Sequence, residues 1–171
     1  MMRVLRALGI GLLVVLVVCL QLGPFSELAL GGVVPDLALL VVVAAAIARG
    51  PSYASLLGFV AGLALDVAPP ADHTIGRWAL ALALVGYLAG QVRDDADHSA
   101  VAAALAVAAS AFIGTSVFAL SGLVVQDPGV DVDTILTVVP LAVLYDLALT
   151  PLVVPPALAL FARTQPLAVR W

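Results

Sequence analysis

Residues 35–66 read PDLALLVVVAAAIARGPSYASLLGFVAGLALD, and this stretch decides the fold class. Between Asp36 and Asp66 the only charged residue is Arg49. Leu37 to Ala48 is an unbroken apolar run, and Pro51-Ser52 is a favourable helix start for a second run reaching about Ala68. A helix that crosses a bilayer needs about 20 mostly apolar residues. Two runs of nearly that length, set back to back with charge only at their ends, point to a chain folded in lipid. The whole composition agrees. Of 171 residues 64% are apolar and 11% charged, where soluble domains carry roughly 25% charged residues. Mean hydropathy is +1.21. This excludes an ordinary cytosolic enzyme and a disordered chain. The net charge of −4, with seven Arg and no Lys or basic run, also excludes a nucleic-acid binder. Cys19 stands alone, so no disulfide framework is expected.

Outward from this stretch, the pattern predicts an all-α, polytopic membrane protein forming one domain over residues 1–171. About six transmembrane helices are expected, some short or broken: 4–22, 28–48, 51–68, 78–92, 99–126 and 134–162. The first follows a short basic front, Arg3 and Arg6, and is read as a retained anchor, since no small-residue cleavage site follows it. The second is interrupted by Gly31-Gly32 and Pro35-Asp36; five spans result if it re-enters without crossing. With six spans and a cytoplasmic N-terminus, Arg3, Arg6, Arg49, Arg93, Arg163 and Arg170 fall inside and only Arg77 outside. The expected location is therefore the bacterial cytoplasmic membrane, with both termini cytoplasmic.

Small residues mark three helix faces. Ala54, Gly58, Gly62 and Asp66 recur every four residues on the third helix, Gly86 and Gly90 on the fourth, and Ser110, Gly114, Phe118 and Gly122 on the fifth. A GxxxG step lets another helix approach to backbone contact, either within the molecule or from a partner. Ionisable groups inside lipid are costly, and three stand out. Asp36, after Pro35, suits capping of a helix start. Asp66 lies about 22 Å along its helix from Pro51, near the outer boundary, where solvent or a helix end would hold it. Asp146 lies about 18 Å deep from Thr134 and needs a partner, a cavity or a proton.

No catalytic set accompanies these residues. Tyr145-Asp146 matches one half of an intramembrane aspartyl protease, but Asp66 lacks the Gly-x-Gly-Asp context and differs in depth by very roughly 10 Å, too far to share a proton. His73 and His98 are expected on opposite sides of the membrane and cannot share a metal. No span holds a histidine to activate a serine. Asp127, Asp131 and Asp133 lack calcium-loop spacing and read as a solvated turn. No enzyme activity, metal or cofactor is expected.

One order of motifs carries a resemblance. Pro35-Asp36-Leu37 opens an apolar run, Arg49-Gly50-Pro51 follows, then Gly58-Phe59-Val60-Ala61-Gly62-Leu63-Ala64-Leu65-Asp66. A short polar loop leads to Gly76-Arg77-Trp78-Ala79-Leu80 and Val85-Gly86-Tyr87-Leu88-Ala89-Gly90. Over about residues 34–156 this resembles the rod shape-determining protein MreD family. One departure is Asp146, where the family's sixth helix is expected to carry Asn. The resemblance implies a fold similar to the substrate-binding subunits of energy-coupling-factor transporters. It also implies a non-enzymatic scaffold of the cell-wall elongation complex, which controls cell shape by binding the single-span protein MreC. Through it, MreB filaments would be linked to peptidoglycan synthases of the RodA and penicillin-binding-protein type. On this reading Gly58 and Gly62 open a groove for the partner helix, with Asp36 and Asp66 at its outer mouth, and Gly86, Gly90 and Asp146 as further partner-binding or structural positions. A homo-oligomer remains compatible with the pattern. The reading from a different class is a small-molecule-binding subunit of a vitamin or metal importer, which requires convergent polar groups around a cavity.

Overall fold

The computed structural model describes residues 2–29, 31–69, 73–127 and 130–163, with side chains from residue 8 onward. The elements are α1 (Met2–Leu22), a 3-10 turn (Ser26–Leu28), α2 (Leu37–Arg49), α3 (Pro51–Val67), α4 (Arg77–Gln91), α5 (Arg93–His98), α6 (Ala100–Val124) and α7 (Val132–Arg163). Among the described residues there is no strand. By length and composition α6 and α7 are apolar enough to cross a membrane, with hydropathies of 2.0 and 1.9, while Leu8–Leu22, α2 and α3 are apolar but shorter. The fold is all-helical and fits a membrane protein.

The shortest of these apolar helices sits at the centre. Leu, Val, Ala and Ile fill α2 on every side, and a helix apolar all round must be surrounded. It touches each of the other six helices. Leu40 and Val42 to Ala46 have no accessible surface. Its 13 residues are about 20 Å long, well short of the roughly 30 Å hydrocarbon layer. The expected second span therefore holds less helix than the range 28–48. Gly31 and Gly32 take positive φ (58° and 82°), turning the chain before Pro35, whose ring disfavours helix in the residue before it. Helix begins only at Leu37.

In chain order α1, α2, α3, α4, α6 and α7 alternate in direction, giving two ends. One end, called upper here, gathers the end of α1, the starts of α2 and α4 and the end of α3 around one cavity. The lower end gathers the end of α2, the end of α7 and α5. The sequence pattern leaves α5 as loop. Its Asp94 and Asp95 in the first turn and His98 in the last suit a helix dipole, but six polar residues show no apolar periodicity.

The densest helix pair is α3 against α4, and glycine makes it so. A Cβ on Gly58 would enter the Leu82 carbonyl, one on Gly62 the Trp78 carbonyl, and one on Gly86 the Ala54 carbonyl; one on Gly90 would strike Pro51. The partners step by four residues in opposite directions, so the two GxxxG faces interlock as one antiparallel seam. The expectation that Gly58 and Gly62 open a groove for a foreign helix is corrected here: α4 fills it. Gly114 faces Leu39 and Val85, and Gly122 faces Arg77, so the α6 face is also turned inward.

This seam makes a substitution test. Gly62→Leu drives a branched side chain into the α4 backbone, and overpacking of this kind costs ~1–3 kcal/mol or more. We expect a lower melting temperature and poor monodispersity for Gly62→Leu, and no change for Gly9→Leu, where a Cβ meets nothing within 4 Å. Thermal melts of the purified protein in detergent check this.

Candidate functional site

A helix leaves four N–H groups at its start without helical partners. For α2 that start is buried, so acceptors must come from side chains. Asp36 is the N-cap and its Oδ1 accepts from the Leu39 N–H at 2.9 Å. Gln21, from the end of α1, accepts the Ala38 N–H at 2.9 Å through Oε1. Asp146, from the middle of α7, accepts the N–H of Asp36 itself at 2.9 Å through Oδ1. Three helices thus converge on one helix terminus. Asp36 and Asp146 are 8% and 1% exposed. In each, Oδ2 is buried without a hydrogen-bond partner, and neither forms an ion pair among the described residues.

A second carboxylate does the same for α4. Asp66, at the end of α3, is wholly buried and accepts from the N–H groups of Gly76 (2.9 Å), Trp78 (3.1 Å) and Ala79 (3.1 Å). Its place at a helix end agrees with the distance counted from Pro51, but solvent does not hold it; the reading of Asp66 as a solvated boundary residue is corrected. His73 Nδ1 lies 3.6 Å from Asp66 Oδ1.

Beside Asp66 stands a polar and aromatic wall. Arg77 is buried, pairs with Asp127 and donates from Nη2 to the Phe118 carbonyl at 2.9 Å. Its guanidinium lies 4.1 Å over the Phe118 ring, which stacks on Trp78 at 4.4 Å and meets His73 edge-on at 5.2 Å. Asp127 therefore serves more than a solvated turn. Asp131, in the same loop, accepts from the backbone N–H and hydroxyl of Thr134, which hold its carboxyl below the usual carboxylate range. The stabilisation this gives the start of α7 is present at neutral pH and is lost as pH falls through that lowered value.

Between these groups lies a cavity of about 330 Å³, lined by Gln21, Asp36, His73, Trp78 and Phe118 together with apolar Val33, Val34, Leu65, Val138 and Ala142. A separate apolar trough of about 340 Å³ runs along the side of the bundle between α1, α2 and α7. The structure brings Asp36 and Asp146 together and places Asp66 in a different cap. His73 and His98 lie at opposite ends. Among the described residues no three His, Cys, Asp or Glu converge as a metal group. Sequence reading missed Gln21, a lone amide in an apolar helix, and the inward role of Arg77; Gln21 being the last polar residue of α1 was the available signal.

A model of the family described as rod shape-determining protein MreD matches residues 1–163 of the chain. No curated protein and no solved structure matches it.

Removing the α4 cap separates its components. Asp66→Ala leaves one buried and two part-buried N–H groups without this acceptor, a loss on the order of 3 kcal/mol, since a buried orphan costs about 1–3 kcal/mol and a part-buried one less. Asp66→Asn keeps one acceptor oxygen and should lose roughly half as much. Melting temperatures in the order wild type, Asn, Ala check this; an Ala variant as stable as wild type contradicts it.

Proposed function

This chain belongs to the rod shape-determining protein MreD family, and from that premise we propose that it is a non-enzymatic scaffold of the cell-wall elongation complex. In this role it binds the single transmembrane helix of an MreC-type partner and through it links MreB filaments to peptidoglycan synthases. The observation that carries the reading is the family match over residues 1–163. Six helices of alternating direction support a six-span topology, in which α5 lies at the cytoplasmic face and the fold resembles energy-coupling-factor substrate subunits. Arg49, Arg93 and Arg163 at the lower end, against Arg77 at the upper, favour cytoplasmic termini in the inner membrane.

The partner helix needs a surface that the molecule's own helices do not use. The glycine seam is spent within the bundle, so the side trough is the better seat. Leu13 and Val17 of α1, Val41 of α2 and Val153 and Pro156 of α7 line it. In lipid, association rests on close packing rather than on expulsion of water, and such a trough offers packing without a polar cost. Leu20 and Leu152 of its lining are exposed, as are Leu12 and Leu16 beside it on α1. The cavity is the one feature that favours an importer subunit instead, and the family match outweighs it.

Val153→Trp fills the trough without touching a cap or the seam. Co-purification of an MreC-type partner with this variant should fall by roughly tenfold or more, equivalent to ~1.4 kcal/mol, while its elution profile stays that of the wild type. Recovery of the partner at wild-type level with a stably folded Val153→Trp variant overturns the placement. Failure of the wild-type chain to retain any such partner overturns the scaffold reading.

A further inference from the structure

In the Asp36–Asp146 cluster one carboxylate oxygen of each residue is left without a partner. Asp36 Oδ1 is used by Leu39 and Asp146 Oδ1 by Asp36, whereas both Oδ2 atoms are buried and empty-handed. The Asp36 N–H bonded to Asp146 brings the two carboxyl groups within one residue's reach. A proton on one carboxyl group removes one of the two charges, and a water would satisfy the hydrogen bonds, but the second negative charge would stay uncompensated in an apolar bundle. A hard divalent cation takes six or more oxygens, and no third carboxylate converges here among the described residues. What suits the pair is a compact cation with several donors and carbon attached. A primary ammonium has three N–H groups and one charge. The space for its carbon skeleton is present, because Asp36 itself lines the 330 Å³ cavity, whose walls also include Trp78, Phe118, Val138 and Ala142, with Gln21 and His73 as further polar groups.

We propose that this cavity is a binding site for an organic ammonium group, held by the free oxygen of Asp36 with Asp146 behind it, its carbon portion lying against Trp78 and Val138. The site is independent of the side trough and of any partner helix. An ammonium can come from a free amine or from the ethanolamine headgroup of a phospholipid, and both offer the same chemistry at the upper end of the bundle.

The test uses the full chain in nanodiscs of phosphatidylglycerol alone, titrated with n-butylammonium chloride. Controls are n-butanol, which has the same shape without charge, and sodium chloride at equal ionic strength. The wild type should show a saturable rise in melting temperature with butylammonium only. Asp36→Asn keeps an α2 cap oxygen, and Asp146→Asn keeps an acceptor for the Asp36 N–H; both should fold and both should lose the rise. Ala142→Phe, which narrows the cavity and leaves the carboxylates in place, should lose it too. Repetition with phosphatidylethanolamine in the nanodisc identifies the source. A higher starting melting temperature and a smaller butylammonium increment for the wild type alone assign the headgroup, and an unchanged increment assigns a free amine. An equal rise with butanol or sodium chloride, a rise that persists in both Asn variants, or no rise in either lipid overturns the proposal.

Discussion

A helix that starts inside an apolar bundle exposes N–H groups that water cannot reach, and α2 starts there. Its apolar residues on all sides demand burial, and burial places its first turn where only side chains can accept hydrogen bonds. Gln21 of α1, Asp146 of α7 and the α2 cap residue Asp36 meet that demand. The ends of α1 and α2 and the middle of α7 are thereby tied at one point. The cost is a pair of buried carboxyl groups, which a purely mechanical link would not require. Amide or hydroxyl acceptors would serve the same N–H groups without charge.

The same logic recurs one layer out. The short helix α4 receives its acceptors from Asp66 at the end of α3, across the loop that joins them. The two helices are then drawn along their whole length into the glycine seam. Close backbone approach and a shared cap reinforce each other: without glycine at 58 and 62 the helices would stand too far apart for Asp66 to reach the amides of Gly76, Trp78 and Ala79 at the α4 start. Arg77, one residue into α4, extends the clamp to α6 and to the loop before α7 through Phe118 and Asp127. Two carboxylate caps and one guanidinium thus organise the upper end.

Much of this was legible along the chain. The apolar runs located α1, α3, α4, α6 and α7 to within a few residues, because period and length are local properties. Pro35-Asp36 marked a helix start for the same reason. The glycine faces were also visible, but a GxxxG step does not say which helix it meets; only the fold decided between α4 and a foreign partner. Long-range acceptors were not legible. Nothing near Asp66 announces that its oxygens serve amides ten and more residues away, and nothing near Asp146 announces Asp36. Gln21 in α1 has no local signature beyond its polarity. The short α2 was legible in part: Gly31-Gly32 and Pro35-Asp36 marked the break, while the range 28–48 still gave the run more helix than the 13 residues it has.

For a family of shape-determining membrane proteins, this arrangement offers a stiff body whose upper end is tied by buried polar contacts and whose flank is left apolar. The claim on which it all rests is that α2 is sealed at the centre and its first turn is held by side chains. Amide hydrogen exchange of the lipid-embedded chain measures this directly. The account predicts that Ala38, Leu39 and the α2 amides after them are the slowest to exchange in the protein, slower than those of α1. Exchange of the Ala38 and Leu39 amides as fast as those at the outer turns of α1 would contradict it.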